Sequence, residues 1–232
     1  MGDEEAWVEY PSANNLYDKL HVMRTQGIWC APAGVPVPED GDYITKPRTN
    51  LRGMGLGVRK HEGVGKGAII GAPGDIVCPF LGGRHVTLDF ELDEDVKLRC
   101  VDARTLRNGA MWVWEDAFIG RSIEKAMPST SLRTLTSYLR EYLFLGSTID
   151  RKAVKTVNVE GVLDPSNTHV SAVWEVHLRG NPDPKYRYLV PLFRAPQGDF
   201  KLGPWDYIEA YDDCDGLLDP PRYGFLAREP IE

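Results

Sequence analysis

The sequence predicts an α+β fold in which antiparallel hairpins lie beside a few helices. Three observations carry that prediction. Residues 85–100, HVTLDFELDEDVKLRC, alternate apolar and polar side chains on both sides of an acidic turn, the pattern of a half-buried antiparallel hairpin. Residues 131–146 place Leu132, Leu135, Leu139 and Leu143 along one helical face and end at Gly146, as an amphipathic helix does. Strand and helix patterns do not alternate as βαβ units, and 17 prolines and 23 glycines favour many turns over a helical bundle.

The remaining elements follow in chain order. Residues 1–13 read as a short arm. Leu16, Leu20 and Met23 then recur at helical spacing, with Asn14 or Asn15 as N-cap and Gly27 as the stop. The proline-rich connection IWCAPAGVPVPEDGD leads into YITKP, a short strand ended by Pro47. Residues 48–67 carry Gly53, Gly55, Gly57, Gly63, Gly65 and Gly67 among basic residues and read as a flexible loop or hairpin. GDIVCPFLGGRH reads as a buried strand ending in two glycines. KTVNVEGVLD and THVSAVWEVHLR read as two strands joined by the turn DPSN. Beyond YRYLVPLF the chain is rich in aromatics, acids and prolines and reads as irregular.

Composition bounds the function. A chain of 232 residues that is 42% hydrophobic and 26% charged is an ordinary globular sequence, long enough for one large domain or two small lobes. A net charge of -7 disfavours nucleic acid, since no excess of cations is available to replace phosphate counterions. Cys30, Cys78, Cys100 and Cys214 form no CxxC and no pairing pattern, so reduced thiols are expected. The start MGDEEAWVEY lacks the apolar core of a signal peptide, and no apolar run is long enough to span a membrane. The expectation is a soluble cytoplasmic protein.

Four segments have the chemistry to handle a nucleotide. Lys46 ends a strand just before the glycine-rich loop, where an ammonium and loop amides can meet phosphate; alone, it reads as a solvated lysine. The strand through Cys78 has backbone groups that can pair with an adenine edge; alone, it is a core strand with a turn. In WEVHLR, Glu175, His177 and Arg179 share one strand face, and the DPSN hairpin brings Glu160 beside them. Paired carboxylates meeting phosphate suit Mg2+, for which histidine is a poorer ligand; each carboxylate alone reads as a solvated strand residue. Arg104, Arg107 and Arg179 suit a phosphoryl group or a carboxylate, although surface arginines are common. No GxSxG or stand-out cysteine offers a nucleophile.

Taken in order, these segments resemble the ATP-grasp family from about Asn15 to Arg179. The pieces are YDKLHVMRTQGIWCAP, ITKPRTNLRGMGLGVRK, IVCPFLGGRHVTLDFEL, VNVEGVLD and WEVHLR. The resemblance implies a two-lobed fold of antiparallel sheets with flanking helices. It divides the chain into an arm (1–14), a small lobe with the flap (15–80) and a large lobe with the metal site (81–232). It further implies that Lys46 holds the α- and β-phosphates, with Lys19 at the edge of the ATP pocket. Gly53, Gly55 and Gly57 would cover the phosphates, and Cys78, Pro79, Phe80 and Leu81 would face adenine. His85 stands where an acid commonly holds the ribose, and Arg104 joins the nucleotide-side set. Glu160 and Glu175 would bind Mg2+, or Mn2+ in its place, with His177 where the family usually has asparagine. Arg179 would contact phosphate or the acyl-phosphate intermediate.

The implied activity is that of a ligase joining a carboxylate to an amine through an acyl phosphate, at the expense of ATP. The alternatives are an ATP-grasp phosphotransferase acting on a hydroxyl and a non-catalytic nucleotide-binding scaffold. Substrates would be small-molecule or peptide acids and amines, with no nucleic acid and no membrane. The chain departs from the family by reading Cys78-Pro79 where a hinge acid is usual. It also has only about fifteen residues ahead of the first helix, where relatives carry an α/β domain. Either the chain is a minimal version of the family, or a partner chain or a second copy supplies the missing surface.

Overall fold

Two antiparallel sheets and four helical segments make up the described part of the computed structural model, which covers residues 3–49, 57–92, 98–106, 114–119, 129–144, 154–163, 170–179, 186–192, 204–209 and 224–230. The first sheet is built from β1 (Ala31–Pro32), β2 (Gly41–Pro47), β3 (Arg59–Val64) and β4 (Asp75–Pro79), in the order β1-β4-β2-β3. The second holds β5 (Arg84–Leu92), β6 (Leu98–Leu106), β7 (Trp114–Ile119), β8 (Thr156–Leu163), β9 (Val170–His177), β10 (Tyr186–Leu192), β11 (Asp206–Glu209) and β12 (Gly224–Pro230). Its order is β11-β12-β10-β7-β6-β5-β8-β9. The α+β expectation holds. The DPSN turn, Gly53, Gly55, Arg107, Gly146 and Cys214 lie outside the described residues.

The N-terminal segment read as a short arm is helical and packed. It forms helix α1 (Asp3–Glu9) and a 3-10 helix (Pro11–Tyr17). Acidic Asp3, Glu4 and Glu5 fill the first turn of α1, where they suit the helix dipole. Ala6, Tyr10, Ala13 and Leu16 sink into the same apolar cluster as Leu88 and Phe90 of β5 and Val157 and Val159 of β8. Helix α3 (Ser129–Phe144) joins that cluster through Leu135 and Leu139.

Helix α2 (Lys19–Thr25) starts later than its apolar spacing suggests, because the 3-10 turn takes up the residues before it. Its N-cap is Asp18, not Asn14 or Asn15: the Asp18 carboxylate accepts from the amides of Leu20 at 3.0 Å and His21 at 3.4 Å. Gly27, at φ 72°, stops the helix as expected. The end of α2 covers the outer edge of β9. The Gln26 amide donates to the Val173 carbonyl at 2.6 Å and accepts from the Val173 amide at 2.7 Å. A side chain thus mimics the next strand.

The two sheets meet through a second apolar cluster, in which Leu20, Met23, Cys30, Ile76 and Cys78 are joined by Ile44, Leu81 and Trp174. The glycine-rich stretch takes the hairpin alternative, its residues 59–64 forming strand β3 antiparallel to β2. Two further expectations need correction. The C-terminal part is not wholly irregular, since β11 and β12 extend the second sheet; a four-residue strand is too short for alternation to show. The polar face of β5 is solvated only at its ends: Thr87 and Asp89 are buried beside their apolar neighbours, while Glu91 is exposed.

Candidate nucleotide and metal site

Register assembles the polar floor. Thr87 of β5 pairs with Arg104 of β6 on one side and Glu160 of β8 on the other, and Glu160 pairs with Glu175 of β9. The next rung runs from Asp89 through Asn158 to His177. Side chains at paired positions share a face, so residues scattered from 87 to 177 become one polar patch. Asn158 ties the rungs together, donating 2.8 Å to Thr87 Oγ1 and 2.8 Å to Asp89 Oδ1. Arg104, expected on the nucleotide side, is 1% exposed in this patch.

Three side chains of the floor converge. Ligand atoms of Glu160, Glu175 and His177 all lie within 4.8 Å of one another. His177 Nε2 is buried with no hydrogen-bond partner; it stands 3.3 Å from Glu175 Oε2, close enough to attract but not aligned to bond. Two carboxylates and an orphaned imidazole nitrogen fit a divalent cation. His85 Nε2 lies 3.5 Å from Glu160 Oε2, and its ring meets Trp174 edge-on with centroids 4.9 Å apart.

The lysines arrive from the other side. Arg48 at the end of β2 grips the Asp18 carboxylate with two nitrogens, and its carbonyl accepts from the Lys19 amide at 3.0 Å. This clamp fixes the start of α2 against β2. Lys19, at the first helical position, reaches Glu175 Oε1 at 2.7 Å. Lys46, 6% exposed, makes no ion pair among the described residues. Its ammonium lies 5.2 Å from the Trp174 ring centroid. Gly57 closes over Pro47 at φ +76, where a Cβ would come within 3.1 Å of the proline ring, so any other residue would be strained there.

Electrostatics follow from burial and these neighbours. Burial pushes the Lys46 pKa down, against the pull of Cys78 and Glu175. Burial works to raise Glu175, but the Lys19 charge and then His177 outweigh it and hold the carboxyl well below the usual range. Glu160 is lowered too: burial and Glu175 oppose its charge, while His85 and His177 stabilise it. For His177 burial favours the neutral ring, yet hydrogen bonding to Asp3 and the nearness of Glu175 win and raise its pKa to about 9.

Asp3 was not foreseen from sequence. Its side chain is 2% exposed; Oδ1 lies 3.1 Å from His177 Nδ1, and Oδ2 accepts from Arg179 Nη2 at 2.6 Å. Arg179, expected at phosphate, is therefore tied to helix α1. Tyr17 helps hold the same strand end, accepting from the Leu178 amide at 3.2 Å. Cys78 lies in the β4 ladder opposite Ile44, and the Phe80 amide donates to the Asp42 carbonyl at 2.9 Å. The amide of Phe80 is thus engaged within the protein. Pro79 closes β4, and Leu81 packs in the cluster between the sheets. Cys30 and Cys78 also neighbour each other, and the Cys30 thiol brings Cys78 down to about 7 against burial. Among the described residues no helix is long and apolar enough to cross a membrane.

No protein-family model and no curated protein matches the chain. In structure it is similar to several solved proteins. An ATP-grasp superfamily protein from Archaeoglobus fulgidus is 15% identical with a TM-score of 0.41, over 72% of this chain and 47% of that one. N5-carboxyaminoimidazole synthetase from Staphylococcus aureus, complexed with ADP, is 14% identical with a TM-score of 0.45, over 72% and 46%. L-amino acid ligase from Bacillus licheniformis is 12% identical with a TM-score of 0.42, over 72% and 41%. The chain spans about half the length of the solved structures it matches.

Proposed function

We propose that the chain is an ATP-dependent ligase that joins a carboxylate to an amine through an acyl phosphate, with a divalent cation, Mg2+ or Mn2+, at Glu160 and Glu175. One observation carries this reading: Lys46 is a buried ammonium with no ion pair among the described residues, beside a cluster of converging carboxylates. A desolvated, unpaired charge is costly, and an anion brought to it recovers that cost. Phosphate held jointly by a lysine and a carboxylate-bound dication is the arrangement such a pair suits.

In this reading Lys46 and Lys19 hold phosphate oxygens, Gly53, Gly55 and Gly57 cover them, and residues 78–81 and His85 face the nucleoside. The cation would neutralise charge on the transferring phosphoryl group. Arg179, kept in place by Asp3, faces the acceptor carboxylate. The protein's part is positioning and charge neutralisation, with no covalent nucleophile. Residues 15–80 act as the flap-bearing lobe and 81–232 as the metal-bearing lobe. Surface from a partner chain or second copy completes the acceptor site.

The test is ADP release against a panel of carboxylates and amines with Mg2+ or Mn2+. Release that needs both an acid and an amine supports the ligase; release driven by a hydroxyl acceptor alone identifies a phosphotransferase. A second reading, a nucleotide-binding scaffold without chemistry, is favoured by the 2.7 Å contact of Lys19 with Glu175, because a cation of the protein already neutralises that carboxylate. Nucleotide binding that is indifferent to divalent metal, with no ADP release on any acceptor, would select it.

A further inference from the structure

We propose that Asp3 makes the Glu160–Glu175–His177 cluster a mixed nitrogen–oxygen metal site, which takes a transition-metal dication of the Mn2+ type in preference to Mg2+. The proposal rests on the reading that a dication binds here and adds which ion and why. Mg2+ demands oxygen ligands and dehydrates reluctantly, whereas imidazole suits first-row transition metals. Two carboxylates beside one imidazole keep the site on the harder side of that series, where Mn2+ belongs.

The geometry supplies a reason for the ring to act as a ligand. Asp3 Oδ1 stands at 3.1 Å from Nδ1, so that nitrogen donates to a buried carboxylate. The other nitrogen, Nε2, is left buried and without a hydrogen-bond partner, facing Glu175. A carboxylate behind a histidine fixes the ring and raises its basicity toward a metal. Orientation is secured twice more. Tyr17 meets the His177 ring edge-on with centroids 6.1 Å apart, and Arg179 holds the second oxygen of Asp3. With Nδ1 engaged by Asp3, Nε2 would be the ring nitrogen offered to a dication held by Glu160 and Glu175.

The experiment is metal binding to the full chain at one fixed pH, with a non-hydrolysable ATP analogue, by calorimetry and by electron paramagnetic resonance of Mn2+. Expected are Mn2+ affinity at least about tenfold above that for Mg2+ and magnetic coupling of Mn2+ to a histidine nitrogen. His177→Asn should abolish the coupling and lower Mn2+ affinity about 10–100-fold while leaving Mg2+ binding in place. Asp3→Ala should lose Mn2+ affinity in the same range, and Asp3→Asn, which keeps an acceptor for Nδ1–H, should recover part of it. Retained Mg2+ binding in each variant shows that the fold survives. Mn2+ binding with no nitrogen coupling, or with equal affinity for both metals, overturns this inference and leaves the ligase reading standing. No binding of either metal in the presence of the analogue overturns both.

Discussion

Replacing Lys46 with methionine separates what the lysine does for the fold from what it does for a ligand. The methionine keeps an unbranched apolar stem in a position that is 6% exposed and removes the ammonium over Trp174. The lost cation–π contact is worth about 2 kcal/mol when desolvated. The relieved desolvation of an ion without an ion-pair partner among the described residues is several kcal/mol. Relief therefore meets or exceeds loss. The metal-free protein should melt at an unchanged or higher temperature, each kcal/mol gained being worth roughly 2–4 °C in a chain of this size. Nucleotide affinity should move the other way: a hydrogen bond to a charged phosphate is worth about 1.5–3 kcal/mol, so Kd should rise about 10–150-fold. Calorimetric unfolding and titration with an ATP analogue read both quantities on the same samples. A lower melting temperature with unchanged nucleotide affinity would refute the reasoning, since Lys46 would then be a structural cation and not a phosphate ligand.

The remaining predictions concern the scaffold. Gln26→Ala removes the two bonds that cover Val173 at the β9 edge; it should cost about 1–3 kcal/mol, seen as a lower urea midpoint at unchanged slope. Asn158→Leu unties Thr87 from Asp89 and should cost about 2–4 kcal/mol by the same measurement, with nucleotide affinity falling as the floor loosens. The Asp18 carboxyl is lowered from 3.8, burial opposing and Arg48 outweighing it. Its contribution is therefore full above that value and is lost as pH falls through the lower folded-state value. Exchange of the Leu20 and His21 amides, corrected for intrinsic rates, should accelerate on acidification below 3.8, and Arg48→Met should move that acceleration to higher pH.

Local pattern carried much of this architecture. The β5–β6 hairpin and helix α3 are written in period-2 and period-3.6 spacing and lie where that spacing puts them; the pairing of Glu160 with Glu175 depends on two register shifts between β8 and β9 that no spacing shows. What spacing could not show depends on contacts distant in the chain. Asp3 meets His177 and Arg179 across 174 and 176 positions; in sequence it is one acid among three at an acidic N-terminus. Asp18 displaced the asparagines as N-cap because both residue types cap equally well, and only the preceding 3-10 turn decides between them. The alternating face of β5 looked solvated because its pattern records polarity, and polarity is equally at home against buried ions. Cys30 and Cys78 look unrelated until the pairing of Ala31 with Val77 sets their strands side by side.

Charge explains why such a polar floor can stay folded and still want a ligand. Immediately around the metal cluster, Asp3, Glu160 and Glu175 present three carboxylates, while Lys19, Lys46, Arg179 and the His177 imidazolium present four cations. Three of those cations meet carboxylates directly: Lys19 at Glu175, Arg179 at Asp3, and His177 between Asp3 and Glu175. Lys46 is left over. A buried surplus of one positive charge favours an anion over neutral ligands at that point, and adding a dication at Glu160 and Glu175 deepens the preference toward a polyanion. The ordering of ligands follows: metal alone should bind weakly, because Lys19, Lys46 and the imidazolium repel it, and nucleotide should strengthen it. Linkage makes the coupling reciprocal, so Lys46→Met, which removes one repelling cation, should tighten metal binding in the absence of nucleotide while weakening it in its presence. A Lys46→Met protein whose metal affinity changes in the same direction with and without nucleotide would show that Lys46 does not couple the two ligands.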